Sequence, residues 1–269
     1  MHYPCTVETC EVPLRIQLCG RLAIERGRAV IAEDAFPARQ GRRLWAFLVL
    51  QRRQPAGRSD VAAAVWGDAM PDAWDDALSV LVSRLRSSLQ PLTGPCPEPA
   101  IMGGEGRYRL ALPPGSVVDL ERAMEALHRA EGLMRQRAWG AVVAEAQVAT
   151  EVAARGFLPG ESGDWVEGQR RLLAEARVHA LECTVAAELA RGHAALAERE
   201  AEHLVALAPL REAGHRLLMQ ALVAGGNPGQ AVLAYHRCRR LLRQQVGVAP
   251  SVEMEQLYRQ LMQRREPPA

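Results

Sequence analysis

The run Trp74-Asp-Asp-Ala-Leu-Ser-Val-Leu-Val-Ser-Arg-Leu-Arg-Ser-Ser-Leu89 holds two kinds of residue at helical spacing. At ~100° per residue, Trp74, Leu78, Leu81, Val82, Leu85 and Leu89 fall on one side, which the pattern predicts to be buried. The opposite side carries Asp76, Val80, Ser83, Arg84 and Ser87, with Arg86 on the flank. An outward face mixing Arg, Ser and one aliphatic residue suits a DNA major groove. Arg reaches guanine edges or phosphates, Ser reaches either, and Val touches a thymine methyl. For an isolated helix, a solvated face explains the same residues. The elements around it tip the balance toward the groove.

Upstream, short strands are expected at Leu14–Cys19, Leu22–Glu25 and Ala29–Ala32, separated by Gly20 and Gly27. A first helix follows over Ala38–Arg52, its apolar face made of Leu44, Phe47, Leu48 and Leu50, and Pro55-Ala-Gly57 ends it. Ser59 is a good N-cap for a second, short helix that runs through Trp66 and stops at Gly67. The third helix is entered through Pro71 and spans Asp72–Leu89. Downstream, Pro91-Leu-Thr-Gly-Pro-Cys-Pro-Glu-Pro99 lacks the amide donors for helix or sheet and reads as a loop. Ile101-Met102, the turn Gly103-Gly-Glu-Gly106 and Arg107-Tyr-Arg-Leu110 then read as a β-hairpin. Three helices, the last two closely linked, followed by a hairpin are the parts of a winged helix-turn-helix.

Beyond Pro113-Pro114-Gly115 the pattern is helical throughout, so the chain is divided there into residues 1–112 and 113–269. Helices are expected at Val118–Gln136, Ala138–Ala154, Asp164–Arg191, Ala194–Leu207, Arg211–Ala224, Pro228–Val246 and Ser251–Arg264. The runs from Gly192 and Gly226 superpose at an offset of 34 residues, with Ala197 on Ala231, Leu204 on Cys238 and Leu207 on Leu241. That offset is the tetratricopeptide period. The expected fold class is mainly α with a small β part: an N-terminal winged helix-turn-helix followed by a tetratricopeptide-like all-α domain.

Composition agrees with two domains. A chain of 269 residues exceeds the usual single domain. Its 48% apolar fraction is mostly Ala, Leu and Val, with only 4% aromatics, which favours helix. All 33 basic residues are Arg, whose guanidinium forks onto phosphate or carboxylate. The net charge of +2 gives no bulk field for nucleic acid or membrane, so any DNA contact must come from local placement. The sequence has neither a membrane-spanning apolar run nor a leader pattern, so a cytoplasmic protein is expected. Cys5, Cys10, Cys19, Cys96, Cys183 and Cys238 form no CxxC pair and read as free thiols. A metal or redox site at Cys5, Cys10 and Cys19 would need a matched second pair. No phosphate loop, HExxH or Gly-x-Ser-x-Gly is present, and Gly103–Gly106 precedes a strand rather than an anion-binding helix N-terminus. The histidines at 2, 128, 179, 193, 203, 215 and 236 are scattered, and the tryptophans at 45, 66, 74, 139 and 165 read as core anchors. An enzyme, a cofactor, a metal and a small-molecule substrate are not expected.

Arg39-Gln-Gly-Arg-Arg-Leu-Trp-Ala-Phe-Leu-Val-Leu50, Ala64-Val-Trp-Gly-Asp68, Ala77-Leu-Ser-Val-Leu-Val-Ser-Arg-Leu-Arg86 and Tyr108-Arg-Leu110 resemble, in order and spacing, the DNA-binding domain of the SARP-type transcription activators. Gly163-Asp-Trp165, Ala208-Pro-Leu-Arg-Glu212, Leu218-Met219, Gln230-Ala-Val-Leu-Ala-Tyr235 and Val246-Gly-Val-Ala-Pro-Ser251 resemble their bacterial transcriptional activator domain. The resemblance implies a response-regulator-type winged helix on promoter DNA, and a helical domain for self-association and contact with RNA polymerase. Carried over by position, it puts Val80 and Arg84 at base-facing sites, Arg86 at a phosphate-facing site and Arg107 in the wing; the helix face itself adds Ser83 and Ser87. One departure stands out: relatives commonly place Arg or Thr where this chain has Asp72, Asp75 and Asp76. Asp72 reads as a helix cap, whereas Asp76 lies on the groove face and repels phosphate. Two functions are therefore weighed: a sequence-specific DNA-binding transcriptional regulator, or a protein-interaction adaptor with a weakened winged helix.

Overall fold

Three isoleucines align the first sheet. β1 (Arg15–Gln17), β2 (Ala23–Arg26) and β3 (Ala29–Ala32) run antiparallel, with Ile16 opposite Ile24 and Ile24 opposite Ile31. All three are buried, so a one-residue slip would turn the whole ladder outward. The structure is a computed structural model and describes residues 12–93 and 98–263. Its contacts form two units. One is the described part of Met1–Arg122 with Val152–Leu173, and the other is Ala123–Glu151 with the described part of Ala174–Ala269.

In the first unit, α1 (Ala38–Gln51) is buried on almost every side, through Leu44, Trp45, Ala46, Phe47, Leu48 and Val49; Leu50, expected on the apolar face, is half-buried. Gly41 is required here, because a Cβ would stand 2.5 Å from Pro37 Cδ. β4 (Ala56–Gly57) leads into α2 (Arg58–Trp66), which Gly67 ends at a φ of 54°. The Ser59 cap is not made. The N-cap is Gly57, held extended by pairing with the hairpin, so the helix begins two residues earlier than expected. α3 runs Trp74–Leu89 with Ala73 at its N-cap and no side-chain cap, which corrects the capping role expected of Asp72. Leu78, Leu81, Val82, Leu85 and Leu89 are buried as their spacing predicts, and at ~1.5–3 kcal/mol each they anchor the helix.

β5 (Ala100–Gly104) and β6 (Arg107–Ala111) form the expected hairpin. Glu105 and Gly106 both take positive φ at its turn. No local pattern announces β4, which makes this a three-stranded sheet, or β7 (Val117–Val118), which pairs parallel to β1. The Asp119 carboxylate closes the end of β1, accepting from the amides of Leu18 (2.9 Å) and Cys19 (3.0 Å). Burial pushes its pKa up, against those two bonds and a third from Leu120.

Residues 152–173 complete this unit, where the sequence pattern had drawn a single division at 112/113. Phe157 bridges Cys19, the Leu158 amide donates to Leu18 O (2.9 Å), and Gly20 donates to Gly156 O (2.9 Å). Trp165 packs edge-on against both Phe47 (5.4 Å) and Phe157 (5.6 Å). Among the five tryptophans only Trp45 is fully buried, while Trp66, Trp74, Trp139 and Trp165 are half-buried. The Trp74 expectation fails because that ring sits in the first turn of α3, beyond the packed leucines.

The second unit is helical. Its segments belong to α4 (Asp119–Arg135), α5 (Trp139–Arg155), α6 (Asp164–Ala190), α7 (Ala194–Leu207), α8 (Glu212–Ala224), α9 (Pro228–Gln245) and α10 (Val252–Gln263). The 34-residue offset is visible in the backbone. His193 donates to Glu188 O as Asn227 donates to Leu222 O, and Gly192 to Leu189 O as Gly226 to Val223 O. Ala197, Ala231, Leu204 and Cys238 are all buried at the helix crossings, whereas Leu207 is exposed and Leu241 half-buried. Among the described residues, no helix is long and apolar enough to cross a membrane.

Candidate nucleic-acid interface

α3 presents Val80, Ser83, Arg84, Arg86 and Ser87 to solvent, Val80 being 52% exposed. An open groove of about 480 Å³ runs along this face, bounded by the start of α1, Trp66, and the Ala77, Val80 and Arg84 side chains. No hydrogen bond or ion pair engages the Arg84 guanidinium among the described residues. The Ser87 hydroxyl donates back to Ser83 O at 3.3 Å, within the helix. Arg84 is therefore available to a partner, and the aliphatic Val80 lies one turn before it.

The hairpin is locked to α3 by two arginines. Arg86 donates from Nε (3.0 Å) and Nη2 (2.8 Å) to Ile101 O of β5, so part of its fork is already spent on the protein. Arg58, at the start of α2, donates from Nε to Asp75 Oδ1 (2.5 Å) and from Nη1 to the Tyr108 hydroxyl (2.6 Å). Its Nη2 serves Asp75 O (2.7 Å) and Ser79 Oγ (2.9 Å), and its guanidinium lies 5.2 Å from the Tyr108 ring centre. The Asp75 hydrogen bond raises the Arg58 pKa above its ordinary value, against desolvation by burial. One of the three acids at the head of α3 is thus neutralised in place. Asp76 is exposed and no ion pair engages it among the described residues.

Period-2 alternation along β6 buries Tyr108 and Leu110 and turns Arg107 and Arg109 outward. Arg58, Arg86 and Arg107 line an open pocket of about 370 Å³ with Ser79 and Gly103, Gly104 and Gly106. Val80, Ser83, Arg84 and Ser87 therefore share one helix face, while Arg86 and Arg107 stand at the junction with the hairpin. The sequence reading missed Arg58 and Arg109. Arg109 was readable, being two residues from Arg107 on a strand. Arg58 was not, because its partners lie 17 to 50 residues away.

Other chemistry is sparse. Cys19, Cys183 and Cys238 are buried free thiols; burial raises the pKa of all three, that of Cys183 and Cys238 to about 11. Cys5, Cys10 and Cys96 lie outside the described residues, as does the metal or redox question they raised. Among the described residues, no cluster of three or more His, Cys, Asp or Glu could hold a metal ion.

Residues 118–262 match the family described as the bacterial transcriptional activator domain. The chain is 30% identical over 227 residues to the regulatory protein AfsR of Streptomyces coelicolor, an alignment covering 83% of this chain and 22% of that protein. It is 27% identical over 235 residues to the transcriptional regulator RedD of the same organism, covering 82% of this chain and 63% of RedD. It thus spans less than two thirds of the length of either relative. Its fold is shared by Mycobacterium tuberculosis EmbR, solved in complex with a low affinity phosphopeptide. The TM-score is 0.84 at 22% identity, over 96% of this chain and 67% of the other. With its family domain, its regulator relatives and its winged helix-turn-helix joined to helical repeats, the chain belongs to the SARP-type bacterial transcriptional activators.

Proposed function

We propose that this chain is a sequence-specific DNA-binding transcriptional regulator, an activator that works in the cytoplasm. In this reading α3 enters the major groove of promoter DNA. Val80 and Arg84 face bases, Ser83 and Ser87 contact bases or backbone, and Arg107 and the outer nitrogen of Arg86 face phosphates. The observation that carries it is the exposed α3 face on which the Arg84 guanidinium has no partner among the described residues, beside a hairpin held in place by Arg58. Residues 1–112, completed by 152–173, supply the DNA-binding part. The helical repeats contact a second copy and RNA polymerase, in keeping with the activator family to which they belong.

A mobility-shift titration on promoter fragments at two salt concentrations tests this. Arg84→Ala is expected to relax base preference, at ~1–3 kcal/mol of lost discrimination. Asp76→Arg is expected to tighten binding, because it replaces a carboxylate facing phosphate with a guanidinium. An unpaired Asp76 on the groove face favours the second reading, a protein-interaction adaptor. Absence of any shift at low salt, with the protein folded, decides for the adaptor.

A further inference from the structure

The outward face of α9 carries charge that its own unit does not use. This helix holds Arg237, Arg239, Arg240 and Arg243 and no acidic residue, in a chain whose net charge is only +2, so the remainder is net negative. Ala231, Ala234, Tyr235, Cys238 and Leu242 form its buried side. At ~100° per residue, Arg237, Arg240 and Arg243 fall within ~120° of arc on the opposite side. All four arginines are exposed. Some guanidiniums of this unit find carboxylates, Arg129 with Glu145 (2.9 Å), Arg191 with Glu188 (3.0 Å) and Arg211 with Glu182 (2.7 Å). Others, such as Arg216 and Arg259, make no ion pair among the described residues; α9 is distinguished by gathering four on one helix without an acid. Among the described residues, none of the four on α9 makes an ion pair or a hydrogen bond.

We propose that this face binds the sugar-phosphate backbone of duplex DNA, as a contact independent of sequence and additional to α3. It rests on the DNA-binding reading above but on different residues. From Arg237 to Arg243 the helix rises ~9 Å, enough to span about three phosphates of one strand at ~3.4 Å of axial rise each. Guanidinium forks match phosphate oxygens. The exposed aliphatic residues Leu233 and Val246 flank this stretch along the chain, while the exposed side chains at its centre are the arginines themselves, which matches the evenly charged phosphate backbone of a duplex.

The test is fluorescence anisotropy of the full chain with a random-sequence duplex over a series of NaCl concentrations, using Arg240→Ala/Arg243→Ala, the Lys/Lys double variant and Arg84→Ala. Circular dichroism checks that each folds. The Ala/Ala variant is expected to make the slope of log K against log[NaCl] shallower by ~1.8, about 0.9 for each lost phosphate contact, and the Lys/Lys variant to restore it. An unchanged slope in Ala/Ala, in conditions where the wild-type chain binds the duplex, overturns the α9 contact and leaves the α3 reading standing. Loss in Ala/Ala with none in Arg84→Ala supports α9 and agrees with a base-facing Arg84, whose loss then shows on promoter fragments and not on a random duplex. A wild-type chain that binds no duplex at low salt overturns both.

Discussion

Replacing Glu161 by alanine tests how the first unit is held together. This carboxylate is 2% exposed as a side chain and is gripped from two consecutive residues of α1. Arg42 reaches Oε1 through Nε and Nη2, both at 2.7 Å, and Arg43 Nε reaches Oε2 at 2.9 Å. Breaking a buried pair by removing one partner typically costs ~3–5 kcal/mol, because the surviving charge is left desolvated. Here the survivors keep secondary acceptors: Arg42 has Glu33 at 3.4 Å and Arg43 has Val65 O at 3.0 Å. The expected loss is therefore at the lower end, ~3 kcal/mol, or roughly 10 °C in Tm at a few degrees per kcal/mol. Urea unfolding followed by tryptophan fluorescence reads it, since Trp165 packs on the same loop and helix. Adding Arg43→Met should recover part of the loss by removing one stranded cation, and the double-mutant cycle gives the coupling. A Glu161→Ala midpoint within ~0.5 kcal/mol of wild type, the scatter of an ordinary surface substitution, would refute the argument.

Two further outcomes follow from the hydrogen bonds. Arg58→Ala should cost ~1–2 kcal/mol, its pair with the exposed Asp75 contributing little, and should speed amide exchange through the hairpin Ala100–Ala111; unchanged exchange there would mean that Arg58 does not hold the wing. His215 is buried, with its neutral ring donating from Nε2 to Pro209 O at 2.8 Å; burial, helped by the charge of Arg237, lowers its pKa, against the Pro209 bond and Glu212. The unfolded chain then binds more protons than the folded one below pH ~6.5, so stability present at neutral pH is lost as pH falls from there through the lowered folded value. His215→Gln, which keeps a donor for Pro209, should flatten that part of the pH–stability curve, and an identical slope in both proteins would sink the account.

Local periodicity carried most of the fold. The seven helices from α4 to α10 begin and end within two residues of their expected limits, because Gly192, Gly226 and the proline breaks are visible without any partner. The misses share a different cause. β4 and β7 are two residues each and exist only because β6 and β1 pair with them, so no local pattern announces them. The Ser59 cap was displaced by the same long-range pairing, which fixes Gly57 in an extended conformation with a ψ of 147°. Glu161 sits 118 and 119 residues from its two arginines, and nothing in its immediate sequence marks it as buried.

The arginines show why the site was harder to read than the fold. Arg58, Arg84 and Arg86 are chemically identical on the page and lie in or next to the same helix pair. Only their neighbours separate them: Arg58 satisfies four acceptors, Arg86 gives two nitrogens to one carbonyl, and Arg84 engages no group among the described residues. A guanidinium already bonded to the backbone must break or share that bond to meet a phosphate, whereas an unbonded one gives up only water. The first two therefore set the angle between helix and wing, and a loss at either acts through the position of Arg107 and Arg109. In the proposed function, Arg84 and Val80 are the side chains that meet the DNA directly. Angle and contact are coupled in the folded chain, and the sequence by itself shows only the residues that could serve either role.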